Sequence, residues 1–348
     1  MSSRRTRGSG VEKTLSLEEQ KAKIAEVRKL LGPIADKLPA LCLDASISRY
    51  LRARAWNAKK ACKMVKDSLR WRLENKPENI RWEDIAQEAT TGKIYRSNYF
   101  DKYGRTVLVM RPGFQNSSSL VDQIKYLVYC MENAILNLTP GQEQMVWLID
   151  FQQWNMSSIS VKATRETANV LQNHYPERLG LAILYNPPKI FESFYNIVKL
   201  FLEHKTYSKV KFVYSDDPES QQIMENLFDM DKLESSFGGR NLNGFDYSEF
   251  SERMKEDDVK MLDVIKSGRS ILIETSMVSL LQQSMSLTSD ASEGFNSSSE
   301  EDGFQSLKAT EESSDEKTET QVVCEDGETL PIIITDDQTD KIEKSETT

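Results

Sequence analysis

Apolar residues recur at helical spacing through about residue 90 and gather thereafter into short, nearly unbroken runs. In "LEEQKAKIAEVRKLLG", residues 17–32, Ile24, Val27, Leu30 and Leu31 fall on one stripe and Gly32 supplies a stop. "DASISRYLRARAW" and "NAKKACKMVKDSLRWRLEN" each open on a capping-type residue, Asp44 and Asn57, and repeat the three-and-four spacing. These segments predict a helical bundle over residues 17–90, preceded by a basic, disordered tip at 1–16. From about residue 91 strands and helices alternate. "TVLVMRPGF" (106–114), "QMVWLIDF" (144–151), "LGLAILYN" (179–186) and "VKFVYSD" (210–216) are rich in branched and aromatic residues, as strands buried on both faces require. The helical stretches between them, 119–137, 160–174 and 189–203, are long enough to cross over between parallel strands. An α/β fold follows: an N-terminal helical bundle, then a mostly parallel sheet flanked by helices over residues 91–250. That domain ends near "SSFGGR", where Gly238 and Gly239 are expected at positive φ.

The helix at 189–203 breaks the pattern. Ile190, Phe191, Phe194, Tyr195, Ile197, Val198, Leu200, Phe201 and Leu202 cover more of its circumference than the ~100° stripe of an ordinary crossover helix. At 1.5 Å per residue it is too short for the ~30 Å core of a bilayer, and Glu192 and Lys199 interrupt it. Two readings fit. It is either sandwiched inside a large core, or it is a mobile apolar gate helix that covers a cavity when closed and touches membrane when open. The modest size of the α/β domain, with few layers in which to bury a helix all round, favours the gate.

Charge divides the chain again. Residues 281–348 hold 18 Asp and Glu against 4 Lys and Arg, so the chain's net −9 conceals a tail of −14 and a remainder of +5. Stretches such as "SSSEEDGF" and "EESSDEKTETQ" lack the apolar content to offset ordering entropy, and an acidic disordered tail is expected over 286–348. Between domain and tail, 251–285 reads as a C-terminal helical extension; its part "ILIETSMVSLLQQSM" either packs back on the domain or lies on a membrane. "LPIIITDD", from 330, is either a partner-binding peptide or an apolar patch in the tail. The mildly basic remainder suits anionic membrane surfaces, and no dense basic helix or aromatic motif points to nucleic acid. With no secretory signal visible, a cytoplasmic, transiently membrane-associated monomer is expected.

The usual catalytic signatures are missing. There is no G-x-G-x-x-G after a strand, no G-x-x-x-x-G-K-[ST] and no G-x-S-x-G, so neither a phosphate cradle nor a nucleophile turn is legible. Cys42, Cys62, Cys130 and Cys324 are scattered and only His174 and His204 accompany them, which gives no metal spacing and no disulfide framework. Asp150 ends a strand without a paired acid. No enzyme, cofactor or metal is expected.

"RYLRARAWNAKKACKMVKDSLRWR" resembles the R-[FY]-L-R-A-R-x-[WF] start of the CRAL-TRIO lipid-binding family. "DKYGRTVLV", "NHYPERLGLAILYNPPKIFESFYNIVKLFLEHKTYSKVKFV" and "SSFGGR" look like its later landmarks in order, and the likeness covers roughly residues 35–250. Y-P-E-R followed by T-x-S-K is similar to the yeast-type phosphatidylinositol/phosphatidylcholine transfer proteins. The resemblance implies a non-catalytic domain that closes a helix over one lipid. It places Arg54, Glu177, Thr206 and Lys209 at the inositol-phosphate headgroup. The chemistry agrees: a phosphate beside an apolar pocket needs cations, and a carboxylate and a hydroxyl suit sugar hydroxyls. On residues alone, Glu177 and Lys209 read more readily as a structural ion pair between adjacent strands. The family's phosphatidylcholine binders carry two small hydroxyl residues where this chain has Met145 and Trp147, so a second hydrophobic ligand other than a choline lipid, such as a sterol, is expected. Ala55 stands where the family often has Lys. Phosphatidylinositol exchange between membranes, with presentation to lipid kinases, is the function these readings favour. The alternative is a lipid-sensing adaptor that recruits partners through its tail.

Overall fold

The computed structural model describes residues 15–155, 160–266, 321–323 and 329–331. The expected basic tip up to residue 14, the segment "ILIETSMVSLLQQSM" and nearly all of the acidic tail lie outside them.

The N-terminal bundle is α1 (Leu17–Leu31), α2 (Asp44–Ala53), α3 (Ala58–Asn75) and α4 (Trp82–Ala89). A capping box starts α1: Ser16 Oγ accepts from Glu19 N at 3.2 Å, and Ser16 N donates to Glu19 Oε2 at 2.8 Å. Gly32 ends it at φ 59°. Val27 and Leu31 are buried, but Leu30, assigned to the same stripe, is 41% exposed. Asn57 caps α3 as its sequence implies. Asp44 does not cap α2; it occupies the first turn and pairs with Arg28 of α1, while Leu43 takes the cap position. The bundle core is Val27, Leu31, Ile47, Leu51, Val65 and Leu69, all nearly or fully inaccessible.

The α/β part runs β1 (Ile94–Phe100), β2 (Thr106–Met110), α5 (Leu120–Leu136), β3 (Met145–Asp150), α6 (Val161–His174), β4 (Leu179–Tyr185), α7 (Lys189–Lys199), α8 (His204–Tyr207), β5 (Val210–Val213), α9 (Pro218–Leu227) and α10 (Tyr247–Lys266). The sheet follows chain order, β1 to β5, with β1 antiparallel to β2 and every other pair parallel. β1 is an edge strand absent from the sequence reading. The run expected at 106–114 stops at Met110 and gives way to a tight turn at Pro112–Phe114. Strand parity sorts the sheet into two faces. Register puts Met110, Ile149, Leu184 and Phe212 in one row, with Leu108, Trp147, Ala182 and Val210 in the next row of the same face. The opposite face carries Val109, Leu148 and Ile183.

Gly238 has φ +81°, as its place after a helical turn requires. Gly239 does not have positive φ. Its reason for being glycine is proximity, since a Cβ there would stand 1.9 Å from Leu233 O. The last helix, which runs into the segment read as a C-terminal helical extension, is tied down by Asp257, 2% exposed. That carboxylate accepts from Arg96 at 2.7 Å, Asn133 at 2.9 Å, Asn137 at 3.0 Å and Lys260 at 2.7 Å.

Contacts divide the chain into two units, residues 1–291 and 292–348. In the second, where a disordered tail is expected, the structure describes β6 (Gln321–Val323) and β7 (Thr329–Pro331), paired antiparallel with Val322 opposite Leu330.

Asp257→Leu leaves Arg96 buried without its carboxylate. It should lower unfolding stability by about 3–5 kcal/mol, read as a lower urea midpoint.

Candidate functional site

The turn between α6 and β4 is "YPER", residues 175–178. Glu177 sits there at φ 59°, a left-handed conformation that a non-glycine residue adopts only where surroundings hold it. The surroundings are explicit. Tyr175 donates its hydroxyl hydrogen to Glu132 Oε1 of α5 at 2.7 Å, and Arg72 of α3 grips the same carboxylate at 2.9 and 3.0 Å. Burial alone would raise the Glu132 carboxyl, but the Arg72 guanidinium and the Tyr175 hydroxyl outweigh it and hold it below the usual carboxylate range. On the other side of the turn, Arg178 donates to Glu143 O at 2.9 Å.

Held this way, Glu177 meets Lys209, which follows α8. Lys209 Nζ donates to Glu177 Oε2 at 3.3 Å and to Leu179 O at 2.9 Å. Glu177, Thr206 and Lys209 line one cavity of about 60 Å³, with Trp147 of β3 and Met131 of α5 in its wall. The indole Nε1 of Trp147 is buried without a hydrogen-bond partner. Arg54 is not on that wall. It donates to Glu203 Oε1 at 2.9 Å, and Glu203 lines the cavity in its place. Three of the four expected headgroup residues are thus brought together, and the fourth borders them through Glu203. Met145 is wholly buried and does not border the cavity, whereas Trp147 does.

The helix expected at 189–203 is shorter. It ends at Lys199, and a turn at 200–202 leads into α8. Nor is it apolar all round: Lys189, Glu192, Asn196 and Lys199 are exposed, together with Ile190 at 43% and Leu200 at 76%. Its inner stripe is aromatic. Phe191 and Tyr195 are buried against Phe151 and Leu184, with Phe194 and Val198 half-buried beside them. The Phe151 and Phe191 rings lie 4.4 Å apart, and Tyr195 meets Phe212 edge-on at 5.2 Å. The Tyr195 hydroxyl is buried with no partner. Ile197 and Phe201 are half-buried. A residue the sequence reading missed fixes the far end: Gln172 of α6 donates to Phe201 O at 2.6 Å and accepts from Glu203 N at 2.6 Å. A glutamine in a helical run carries no signal for such a role.

Residues 89–239 match the family described as the CRAL/TRIO domain. Over those residues the chain is similar to that domain. It is 37% identical over 194 residues to a CRAL-TRIO domain-containing protein of Schizosaccharomyces pombe, a match covering 56% of this chain and 18% of that protein. It is 31% identical over 234 residues to the phosphatidylinositol transfer protein PDR17 of Saccharomyces cerevisiae, covering 64% of this chain and 63% of the relative. These matches span less than two thirds of either relative's length. The crystal structure of Sfh5 shares the fold, with a TM-score of 0.56 at 14% identity, over 72% of this chain and 98% of that one. Among the described residues no helix is long and apolar enough to cross a membrane, and no group of three or more His, Cys, Asp or Glu is placed to hold a metal ion.

One titration belongs to the frame of this site. His174 stacks on Trp71 with centroids 4.3 Å apart and planes 8° from parallel. Burial, with the Arg72 charge adding to it, pulls His174 down to about 4. The unfolded chain therefore binds the extra proton first as pH falls, so this contribution is intact above about pH 6.5 and is lost progressively toward pH 4. His174→Phe should flatten the acid side of the stability profile by roughly 2–3 kcal/mol across that window, measured by urea unfolding at a series of pH values.

Proposed function

We propose that this protein binds phosphatidylinositol with its headgroup at Glu177, Thr206 and Lys209 and its acyl chains between the sheet and α7, and exchanges it between membranes. The observation that carries the reading is the convergence of those three residues on one cavity at the end of α7, beside the unpartnered Trp147 indole. Lys209 supplies a cation for the phosphodiester, and Glu177 and the Thr206 hydroxyl suit inositol hydroxyls. That a similar protein is named a phosphatidylinositol transfer protein supports the choice of lipid.

A cavity of about 60 Å³ cannot hold a phospholipid, so binding requires α7 to move outward. Such a motion uncovers Phe191, Tyr195 and their partners on the sheet, and acyl chains or bilayer replace the lost contacts. The need for a cover is quantitative. At ~0.8 kcal/mol per methylene, some thirty methylenes in water would cost roughly 24 kcal/mol, so unaided transfer is negligible. Trp147 fills the space beside the headgroup site, which favours an inositol lipid over a choline lipid. Presentation of the bound lipid to a kinase is a further part of the proposal, as is brief contact with anionic membranes through the basic part of the chain. The protein performs no chemistry on its ligand in this reading.

Transfer of labelled lipid between liposomes tests it. The wild-type chain should move phosphatidylinositol, and phosphatidylcholine much less. Glu177→Ala and Lys209→Ala should each lower phosphatidylinositol transfer about 10- to 100-fold, the equivalent of one charge-assisted hydrogen bond. Transfer unchanged in both variants would reduce the pair to a structural ion pair and defeat the proposal.

A further inference from the structure

A second and larger cavity, of about 380 Å³, lies on the other side of the YPER turn. Tyr175, Pro176 and Arg178 border both cavities, but Glu177, Thr206 and Lys209 border only the smaller one. The walls of the larger come from the segment before α2, from α2, α3 and α5, and from the last turns of α10. Leu38, Leu41, Leu43, Ile135, Met261 and Ile265 make most of it apolar.

Its polar side is unusual. Ser46, Arg49 and Tyr50 stand at i, i+3 and i+4 on one face of α2, all line the cavity, and all are at least 96% buried. The hydroxyls of Ser46 and Tyr50 have no hydrogen-bond partner. The Ser68 hydroxyl near Tyr50 donates instead to Asn173 O at 2.9 Å. Two buried hydroxyls left without partners beside a cavity are costly unless something enters to meet them.

The charges are also out of balance. Glu143 is shared by Arg49 at 2.7 Å and Arg52 at 2.6 Å, and Glu132 is taken by Arg72 and Tyr175. Glu78 lies 3.5 Å from Arg72. Arg178, 6% exposed, has only the backbone oxygen of Glu143 as a hydrogen-bond acceptor among the described residues. Of the charged groups that line the cavity, three are guanidiniums (Arg49, Arg72 and Arg178) and two are carboxylates (Glu78 and Glu132), and Arg178 is the guanidinium among them with no carboxylate hydrogen-bonded to it. Burial and the neighbouring Arg49 charge pull this guanidinium down to about 9, outweighing the opposing pull of the Glu143 and Glu132 carboxylates.

We propose that this cavity is a binding site for a small amphipathic monoanion, a carboxylate on a single apolar chain. Its carboxylate meets Arg178 and Arg49, the Ser46 and Tyr50 hydroxyls donate to it, and its chain lies along Leu38, Leu41, Ile135 and Met261. The volume is at the low end of the roughly 300–1,000 Å³ of small-molecule pockets and excludes a two-chain phospholipid. One excess cation matches one negative charge; a phosphate monoester, carrying about −1.5 to −2, would leave part of its charge buried and unmatched. This site is independent of the phosphatidylinositol reading.

Calorimetric titration of the full chain with decanoate, and with decan-1-ol as a neutral probe of equal length, tests the proposal. Decanoate should bind saturably with one molecule per chain, and decanol about tenfold more weakly or worse. Arg178→Gln should lower decanoate affinity about tenfold and leave decanol unchanged. Tyr50→Phe removes a hydroxyl that has no partner, so it should weaken decanoate severalfold while the thermal midpoint stays level or rises, which separates a lost contact from a damaged fold. Leu43→Trp should fill the cavity and abolish decanoate binding. Absence of saturable binding, equal affinity for the two probes, or decanoate binding that survives Leu43→Trp would each overturn the proposal; the last would place the chain beneath α7.

Discussion

Sinking the Glu132 carboxylate into the middle of α5 costs several kcal/mol in lost hydration, and the cost is offset only by partners of good geometry. It has them in Arg72 and Tyr175. Those partners belong to the N-terminal bundle and to the turn after α6, so one buried anion fixes three elements that are far apart in sequence. The left-handed backbone at Glu177 sits two residues beyond Tyr175, and Lys209 finds its partner only because that turn is held. Glu143 repeats the arrangement from the loop before β3, joined to Arg49 and Arg52 of α2. The helical bundle therefore belongs to the site as a brace, although among the four expected headgroup residues it contributes only Arg54, which lies off the cavity wall.

What sequence makes legible here depends on range. The first three helices of the bundle and the strands β2 to β5 are local matters of spacing and branched residues, and they appear close to where the pattern puts them. β1 escaped because "IYRSNYF" is an edge strand with an exposed outer rim, and its apolar residues are interrupted by Arg96, Ser97 and Asn98. Asp44 looks like a cap from its neighbours, yet an arginine sixteen residues earlier claims it. The girth of the 189–203 helix was overstated because Leu200, Phe201 and Leu202 belong to a turn, and a turn cannot be distinguished from another helical turn by apolar spacing alone.

The site divides the same way. That Glu177, Thr206 and Lys209 come together was legible only through a family resemblance, since nothing in their spacing announces that they share a cavity. Arg54 is separated from Glu203 by 149 positions, and no local rule predicts that pairing. The orphaned hydroxyls of Ser46 and Tyr50 are invisible in sequence, because whether a buried polar group is satisfied depends on every element around it.

The aromatic stripe of α7 packs into a small cluster with Phe151 and Leu184 that is separate from the main core formed by α5, the sheet and α10. Separate cores can melt separately. The segment carrying α7 thus has the character of its own cooperative unit, whose opening free energy is set by a few aromatic contacts rather than by the stability of the whole domain. For a ligand beneath α7, residence time would then be a local property of that cluster, open to adjustment by single side chains without loosening the rest of the molecule.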